Sequence, residues 1–153
     1  MITIEKIVTE DDIKKIVFDI QQAEWAAASE ISADDYSVES LKVFLETPNT
    51  VFIIAHLDGQ FAGMASAKLL NKPTGDLWLY IDEVDVCVNM QKQGVGTEMM
   101  QYLLQFASEF GCEEVWIGTE VDNVPANKLY QSLHPTEVEQ FVGYAFDLRR
   151  LNL

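Results

Sequence analysis

The sequence predicts a mixed α/β fold in which a mostly antiparallel, twisted sheet is flanked by helices. Apolar residues recur with the period of a strand or of a helix in the order β-α-α-β-β-β-α-β-α-β. The three consecutive strands indicate hairpins and antiparallel pairing, whereas the strand–helix–strand units that follow indicate a parallel portion. The 153 residues contain no repeat, low-complexity tract or linker, so a single domain over 1–153 is expected.

The chain opens with a strand and a helix. Alternating isoleucines predict a strand in residues 2–8. Thr9 followed by Asp12 resembles a capping box, and apolar residues then recur at helical spacing as far as Trp25. Residues 27–36, with the sequence AASEISADDY, show little periodicity and are predicted to form a loop.

A second short helix and a hairpin follow. Ser37 is predicted to cap the helix, and Pro48 to end it. Asp58-Gly59 between two apolar runs is a strong hairpin signal, because both turn positions need positive φ. His56 on the first arm is expected to be a half-buried strand residue.

The second half of the chain is predicted to alternate strands with helices. A long strand covers residues 75–88, and a short buried strand lies in residues 114–121. Between them, Gly111 ends an amphipathic helix, and Pro125 lies in the first turn of a later, shorter one. A final strand is expected over residues 138–148. The apolar stripe of the longer helix consists of Met99, Met100, Leu103, Leu104, Ala107 and Phe110.

The charge balance excludes one class of partner and favours another. Asp and Glu total 25 against 10 Lys and Arg, which gives a formal net charge of −15. Nucleic acid is not expected as a partner, because its phosphates call for basic groups. Residues 73–127 contain ten acidic residues but a single basic one, Lys92. A site built from that part of the chain would favour a cationic partner, although an acidic surface also serves solubility alone.

Compartment and metal content follow from simple absences in the sequence. The N-terminus lacks a basic start followed by an apolar run, and no segment reaches the roughly 20 apolar residues that cross a bilayer. Cys87 and Cys112 suit neither a disulfide framework nor a zinc site. A cytoplasmic protein with reduced thiols, no membrane partner and no metal is therefore expected.

Gly94 and Gly96 stand where the long strand ends and the amphipathic helix begins. The first N–H groups of a helix lack intrahelical partners and carry a partial positive charge, which makes this junction an anion site. Two residues without β-carbons would let a diphosphate approach the main chain. A tight turn without a ligand is the alternative. No Gly-Lys-Ser/Thr follows, and the third glycine of the dinucleotide fingerprint is missing.

The segment YIDEVDVCVNMQKQGVGTEMM resembles the coenzyme A-binding segment of the GNAT acetyltransferases, the GCN5-related N-acetyltransferase superfamily. That family carries Gln/Arg-x-x-Gly-x-Gly/Ala at this junction, matched here by residues 91–96. A second family segment matches DNVPANKLYQSL through Asn123, Ala126, Leu129 and Tyr130. The resemblance covers essentially the whole chain. It implies a GNAT-like fold with a splayed central strand pair, and an acetyl-CoA-dependent N-acetyltransferase.

The resemblance assigns the donor side of the reaction to particular residues. Val86 and Val88 would pair with the pantetheine arm, and a bulge near Asp85 and Val86 would splay the strand. Asn123 would also bind pantetheine, and Lys128 is a candidate for the ribose phosphate. The pyrophosphate of acetyl-CoA would be held by Gln91, Lys92, Gln93, Gly94, Val95, Gly96 and Thr97. Lys92 is a further ribose-phosphate candidate.

Two catalytic roles follow from the same resemblance. Tyr130 would protonate the leaving thiolate. Glu83 would take a proton from the acceptor amine, directly or through a water. Asp82 and Asp85 are expected to bind the acceptor. Strand alternation puts Glu83 and Asp85 on one face and Asp82 on the other, unless a bulge reverses the order.

Within the superfamily the chain looks most like the aminoglycoside 3-N-acetyltransferases, which act in antibiotic resistance. The shared features are a Lys-Pro loop, a Tyr-Ile pair, the acidic residue at Glu83 and the ending Phe146-Asp147. His134-Pro135 replaces the family's usual Gly-Phe. A polyamine, small amine or peptide acceptor stays open, as do a non-catalytic coenzyme A-binding module and a homodimer.

Overall fold

The structure is a computed structural model that describes residues 1–26 and 32–153. Residues 27–31 of the predicted loop lie outside this range. The helices and strands are β1 Ile2–Lys6, α1 Ile13–Gln22, α2 Val38–Glu46, β2 Thr50–Leu57, β3 Gln60–Asn71, β4 Leu77–Val86, α3 Val95–Phe110, β5 Glu114–Ile117 and α4 Val124–Ser132. Short 3-10 turns cover Ala33–Asp35 and Val88–Met90. This confirms the predicted order as far as α4.

The chain packs as two compact units, Met1–Gly118 and Thr119–Leu153, called here the first and the second unit. The single domain expected over 1–153 stays a prediction. Among the described residues, none of the helices is both long and apolar enough to cross a membrane.

The five strands of the first unit form one open sheet in the order β1-β2-β3-β4-β5. The first four strands are antiparallel neighbours, and β5 pairs with β4 in parallel. The mixed sheet predicted from the hairpin-like and helix-linked strands is thereby confirmed. Asp58 and Gly59 have φ values of 50° and 82°, as the predicted tight turn between β2 and β3 requires.

Each face of the sheet is covered by helices of the first unit. On one face, Ile13, Ile16, Val17 and Ile20 of α1 pack in a cluster that includes Phe52 and Ile54 of β2. Because side chains alternate along a strand, Val51, Ile53 and Ala55 point to the other face. There α3 contributes Val95, Met99, Met100, Leu103 and Ala107, all of which are buried.

Several local predictions need correction. Asp12, not Thr9, caps α1, since its side chain accepts from the N–H of Lys15. The helix ends at Gln22, so Trp25 lies beyond it, with its indole N–H bonded to the carbonyl of Ile20. On α3, Leu104 and Phe110 are exposed, because they fall outside the arc that faces the sheet. The strand β5 is half-buried, not fully buried.

The second unit contains α4 followed by an irregular segment. The strand expected over residues 138–148 is not formed, and its large apolar side chains are exposed. A strand exists through hydrogen bonds to a neighbouring strand. The described residues of the second unit form one helix and no strand, so the alternating pattern has no partner within the unit.

Candidate active site

The candidate site in the first unit begins where β4 separates from β5. Along its whole length β4 pairs with β3, whereas it pairs with β5 only over residues 78–81. Residues 82–86 of β4 therefore lie beyond the ladder with β5. We call this stretch the open edge of β4. It confirms the predicted splayed strand pair.

A β-bulge lies at the start of the open edge. Ser66 of β3 pairs with Glu83, whereas Ala67 pairs with Ile81, so Asp82 is the additional residue of β4. The expected position of the bulge, near Asp85 and Val86, was wrong. A bulge interrupts the alternation of side chains. Asp82 and Glu83, expected on opposite faces, consequently line the same cavity.

Gly63 fixes how closely β3 approaches the end of the open edge. It pairs with Val86, and a β-carbon at Gly63 would lie 2.5 Å from the carbonyl oxygen of Asp85. The same carbon would lie 3.0 Å from the terminal methyl group of Met99 on α3. Any other residue at Gly63 would therefore push β4 or α3 away.

The cavity next to the open edge has a volume of about 490 Å³ and an acidic wall. Three carboxylates, three hydroxyls and three apolar side chains line it: Asp35, Asp82 and Glu83; Tyr36, Ser40 and Ser66; Leu41, Phe44 and Phe52. The rings of Phe44 and Phe52 meet edge to face, with centroids 6.2 Å apart. Such a lining combines negative charge with an apolar wall that a hydrocarbon or sugar face can cover.

Tyr36 and Glu83 are joined across this cavity. The phenol oxygen of Tyr36 donates to Oε2 of Glu83 at 3.2 Å, although the two residues are 47 positions apart. Burial raises the pKa of Tyr36, and the negative charges of Glu83, Asp85 and Asp35 raise it further. Tyr36 is therefore a neutral hydrogen-bond donor across the physiological pH range. Asp85 therefore lies close enough to the cavity for its charge to affect Tyr36.

Asp82 is held on the same wall by a cation. Nζ of Lys68 on β3 lies 3.8 Å from Oδ2 of Asp82. Partial burial raises the pKa of Asp82, and Lys68 opposes that rise. Asp82 is thus paired with a charged side chain, and Glu83 accepts a hydrogen bond from the phenol of Tyr36.

The glycine junction lies beyond β4 and the turn Val88–Met90. Lys92 and Gly94 adopt left-handed φ values of 61° and 89°, and α3 begins at Val95. Gly96 lies in the first turn of the helix, with the half-buried Thr97 next to it. Gln91 and Gln93 are exposed, and the amide of Gln93 reaches the carbonyl of Asn89 at 3.5 Å.

The start of α3 differs from the start of every other helix described. Asp12, Ser37 and Asn123 cap α1, α2 and α4 through their side chains, whereas Gly94 provides no side-chain cap for α3. The first N–H groups of a helix with no side-chain cap are available to an anion. This geometry is what a pyrophosphate cradle at residues 91–97 requires.

The two valines expected to bind pantetheine occupy different structures. Val86 is the last residue of β4 and belongs to the open edge. Val88 opens the 3-10 turn, and its N–H donates to the carbonyl of Glu24 at 2.9 Å. Between them, the buried Cys87 bonds to the carbonyl of Ala62 through its N–H. Val86 therefore continues the strand edge, whereas Val88 turns away from it.

The remaining predicted residues lie on α4, in the second unit. Asn123 caps the helix, and its side-chain oxygen accepts from the N–H of Ala126 at 3.3 Å. Tyr130 is half-buried in the last turns of α4, and Lys128 is exposed. Their assigned roles toward the coenzyme stay predictions.

Sequence reasoning missed four polar residues of the cavity: Asp35, Tyr36, Ser40 and Ser66. Asp35 and Tyr36 lie in and next to the turn Ala33–Asp35, which has no periodicity to mark it. Ser66 lies on β3 among apolar residues. The one available signal was an aromatic hydroxyl next to two carboxylates, immediately before the helix cap Ser37.

The comparisons with known proteins agree with this geometry. Residues 14–134 match the family model described as Acetyltransferase (GNAT) family. The chain is 22% identical over 117 residues to an aminoglycoside N(6′)-acetyltransferase type 1 of Serratia marcescens, covering 74% of this chain and 80% of that protein. It therefore belongs to the GNAT family of acetyltransferases and is an N-acetyltransferase.

Solved structures support the same fold. An aminoglycoside acetyltransferase from an uncultured soil metagenomic sample, in complex with trehalose, is 25% identical, with a TM-score of 0.77 and 96% of each chain covered. The AAC(6′)-Iy aminoglycoside N-acetyltransferase in complex with CoA is 18% identical, with a TM-score of 0.72 and 95% of each chain covered. The predicted resemblance to the 3-N type was wrong, because the aminoglycoside relatives are of the N(6′) type.

Proposed function

We propose that this acetyltransferase moves an acetyl group from acetyl-CoA to a primary amine of a polycationic acceptor of the aminoglycoside class. The observation that carries the proposal is the position of Asp82 and Glu83. Both residues belong to the open edge of β4, where the family binds the thioester arm, and both line the acidic cavity. Donor and acceptor could therefore meet on one strand.

The donor is held mainly by the backbone. Residues 91–97 cradle its pyrophosphate with N–H groups at the uncapped start of α3, which an acidic protein can offer without basic side chains. The pantetheine arm extends the sheet along the open edge, with Val86 at its end. Because the N–H of Val88 already donates to the carbonyl of Glu24, Val88 would contact the arm through its own carbonyl. Lys92, Asn123 and Lys128 add side-chain contacts to the coenzyme.

The reaction needs one base and one acid. Glu83 removes a proton from the acceptor ammonium, directly or through a water, and the neutral nitrogen attacks the thioester carbonyl. The C–N bond forms, the C–S bond breaks, and Tyr130 gives a proton to the departing thiolate. The acetyltransferase family and the match of Tyr130 to its second segment support these roles.

The acceptor is selected by charge and shape. Asp35, Asp82 and Glu83 surround a cavity that also exposes aromatic rings, so a ring bearing several ammonium groups fits both features. The names of the similar aminoglycoside enzymes favour the 6′-amine as the acetylated position. Peptide or simple monoamine acceptors would use only part of this lining.

A coupled turnover assay tests the proposal. Acetyl-CoA is incubated with the protein and with aminoglycosides that carry or lack a 6′-amine, polyamines, monoamines and short peptides. We expect coenzyme A release and a gain of one acetyl group only with polycationic amines, and foremost with a 6′-amine. Turnover restricted to peptides would overturn the proposal of a polycationic acceptor. Tight coenzyme binding with no turnover on any amine would instead support a non-catalytic coenzyme A-binding module.

A further inference from the structure

Tyr36 is fixed in the first unit from three directions. Its backbone carbonyl accepts from the side-chain amide of Gln21 on α1 at 2.9 Å. Its N–H donates to the carbonyl of Ala33 at 3.2 Å, and its ring packs against the core cluster under α1 and α2. The phenol oxygen therefore has little freedom, and the position it takes is against Oε2 of Glu83.

We propose that Tyr36 is the positioning residue of the acceptor site, because its phenol holds the Glu83 carboxylate in its charged form and in one orientation toward the cavity. The inference rests on the proposed function, in which Glu83 receives the proton of the acceptor ammonium. Tyr36 itself acts through Glu83 and takes no proton.

The chemistry of the pair sets the direction of the effect. An ionised carboxylate only accepts hydrogen bonds, so the phenol is the donor. A hydrogen bond given to a carboxylate favours its charged form. The carboxylate therefore keeps its charge, and its attraction for an ammonium group, at lower pH than it would without Tyr36.

The charges around Glu83 explain why a neutral donor such as the Tyr36 phenol suits this position. Asp35 and Asp85 act on Tyr36, and Asp82 lies next to Glu83 on β4. Glu83 therefore lies among other carboxylates, whose charges repel its own. Lys68 pairs with Asp82. A neutral donor from the α2 side stabilises the Glu83 anion without adding a positive charge that would repel the acceptor.

Tyr36→Phe is the variant that tests the proposal, because it keeps the packed ring and removes the donor. We expect kcat/KM for the acceptor to fall roughly ten- to a hundredfold, the usual scale for one hydrogen bond to a charged group. The acidic limb of its pH profile should move to higher pH. The KM for acetyl-CoA should stay within about twofold. Tyr102→Phe is the matched control, since Tyr102 lies on α3 outside the cavity.

A double-mutant cycle separates positioning from folding. If Tyr36 acts through Glu83, Tyr36→Phe should lower kcat/KM much less in a Glu83→Gln background than in the wild type. In that background it should also leave the acidic limb of the pH profile where it is. An equal cost in both backgrounds, with an unmoved limb in the single variant, would overturn the inference while leaving the acetyltransferase function intact.

A binding measurement without turnover completes the design. Calorimetric titration of a polycationic amine into the coenzyme-free protein should show that Tyr36→Phe loses affinity at a higher pH than the wild type does. If the wild type acetylates no amine, the proposed function fails. If it does acetylate, and amine binding by both proteins responds identically to pH, only the role of Tyr36 fails.

Discussion

At the residue scale, the acidic cavity is the most informative feature of the molecule. Three carboxylates line it, and Lys68 forms a salt bridge with one of them, Asp82. Like charges that share a cavity repel one another. A bound polycation would offset that repulsion, so the lining suits a cationic ligand.

Glu83→Gln should lower kcat/KM for the acceptor most at low pH. There the amine is protonated and needs a base, whereas at high pH a free amine is abundant and the base matters less. Rates measured across pH against the same acceptor test this. The control is Glu39→Gln, which removes a carboxylate on the exposed side of α2. A loss in Glu83→Gln that is constant across pH would contradict the role of general base.

Tyr130→Phe should lower kcat by roughly 100-fold or more while leaving the affinity for acetyl-CoA nearly constant, because the proposed role of the hydroxyl is to protonate the departing thiolate. Pre-steady-state rates and calorimetric titration measure the two quantities. Tyr144→Phe, an exposed tyrosine of the same unit, is the matched control. If Tyr130→Phe turns over like the wild type, Tyr130 is a packing residue.

At the element scale, we expect α3 and its glycine junction to position the coenzyme. The other described helices begin with a side chain that caps their N–H groups, whereas α3 begins with Gly94 at a φ of 89°. That conformation costs a residue with a β-carbon about 1–2 kcal/mol. A substitution at Gly94 therefore affects folding as well as binding, and its test needs a control for the backbone.

Gly94→Ala should weaken acetyl-CoA binding by more than its effect on stability explains, since the added methyl group lies on the pyrophosphate cradle. Gly75→Ala is the matched control, because Gly75 has a similar φ of 95° and a β-carbon there would meet no atom within 4 Å. Thermal unfolding gives the backbone cost for both, and calorimetric titration gives the affinities. Equal affinities for acetyl-CoA in the two variants would contradict the assignment of a pyrophosphate cradle at Gly94.

The elements also show which features a sequence encodes locally. Ser37, Asp58-Gly59 and Gly111 act on their immediate neighbours, and each was predicted where the structure has it. The bulge at Asp82 depends on how β4 pairs with β3, so its position could not be read from β4 alone. The unformed strand over residues 138–148 failed for the same reason, because an alternating pattern specifies no partner.

The candidate site divides in the same way. Glu83 and the junction at residues 91–97 could be named because a family pattern marks them in consecutive sequence. Tyr36 could not be named, since its importance arises from a hydrogen bond to a residue 47 positions away. Contacts of that kind depend on the tertiary fold.

At the scale of the whole molecule, a net charge of −15 would act at a distance on both proposed substrates. It attracts a polycationic acceptor and repels coenzyme A, which is an anion. Charges on the surface are largely screened beyond about 8 Å at physiological ionic strength. Screening by salt therefore weakens the attraction of the acceptor and also weakens the repulsion of coenzyme A.

Rising salt should accordingly move the two substrates in opposite directions. The association rate and kcat/KM for an aminoglycoside should fall between low and physiological ionic strength, whereas the KM for acetyl-CoA should stay constant or improve. Initial rates at varied concentrations of each substrate, in a series of potassium chloride concentrations, measure both. A monoamine acceptor serves as the control, because its single charge should give a much weaker salt dependence. If the aminoglycoside and the monoamine respond to salt equally, the acidic charge of this protein serves its solubility and does not select the acceptor.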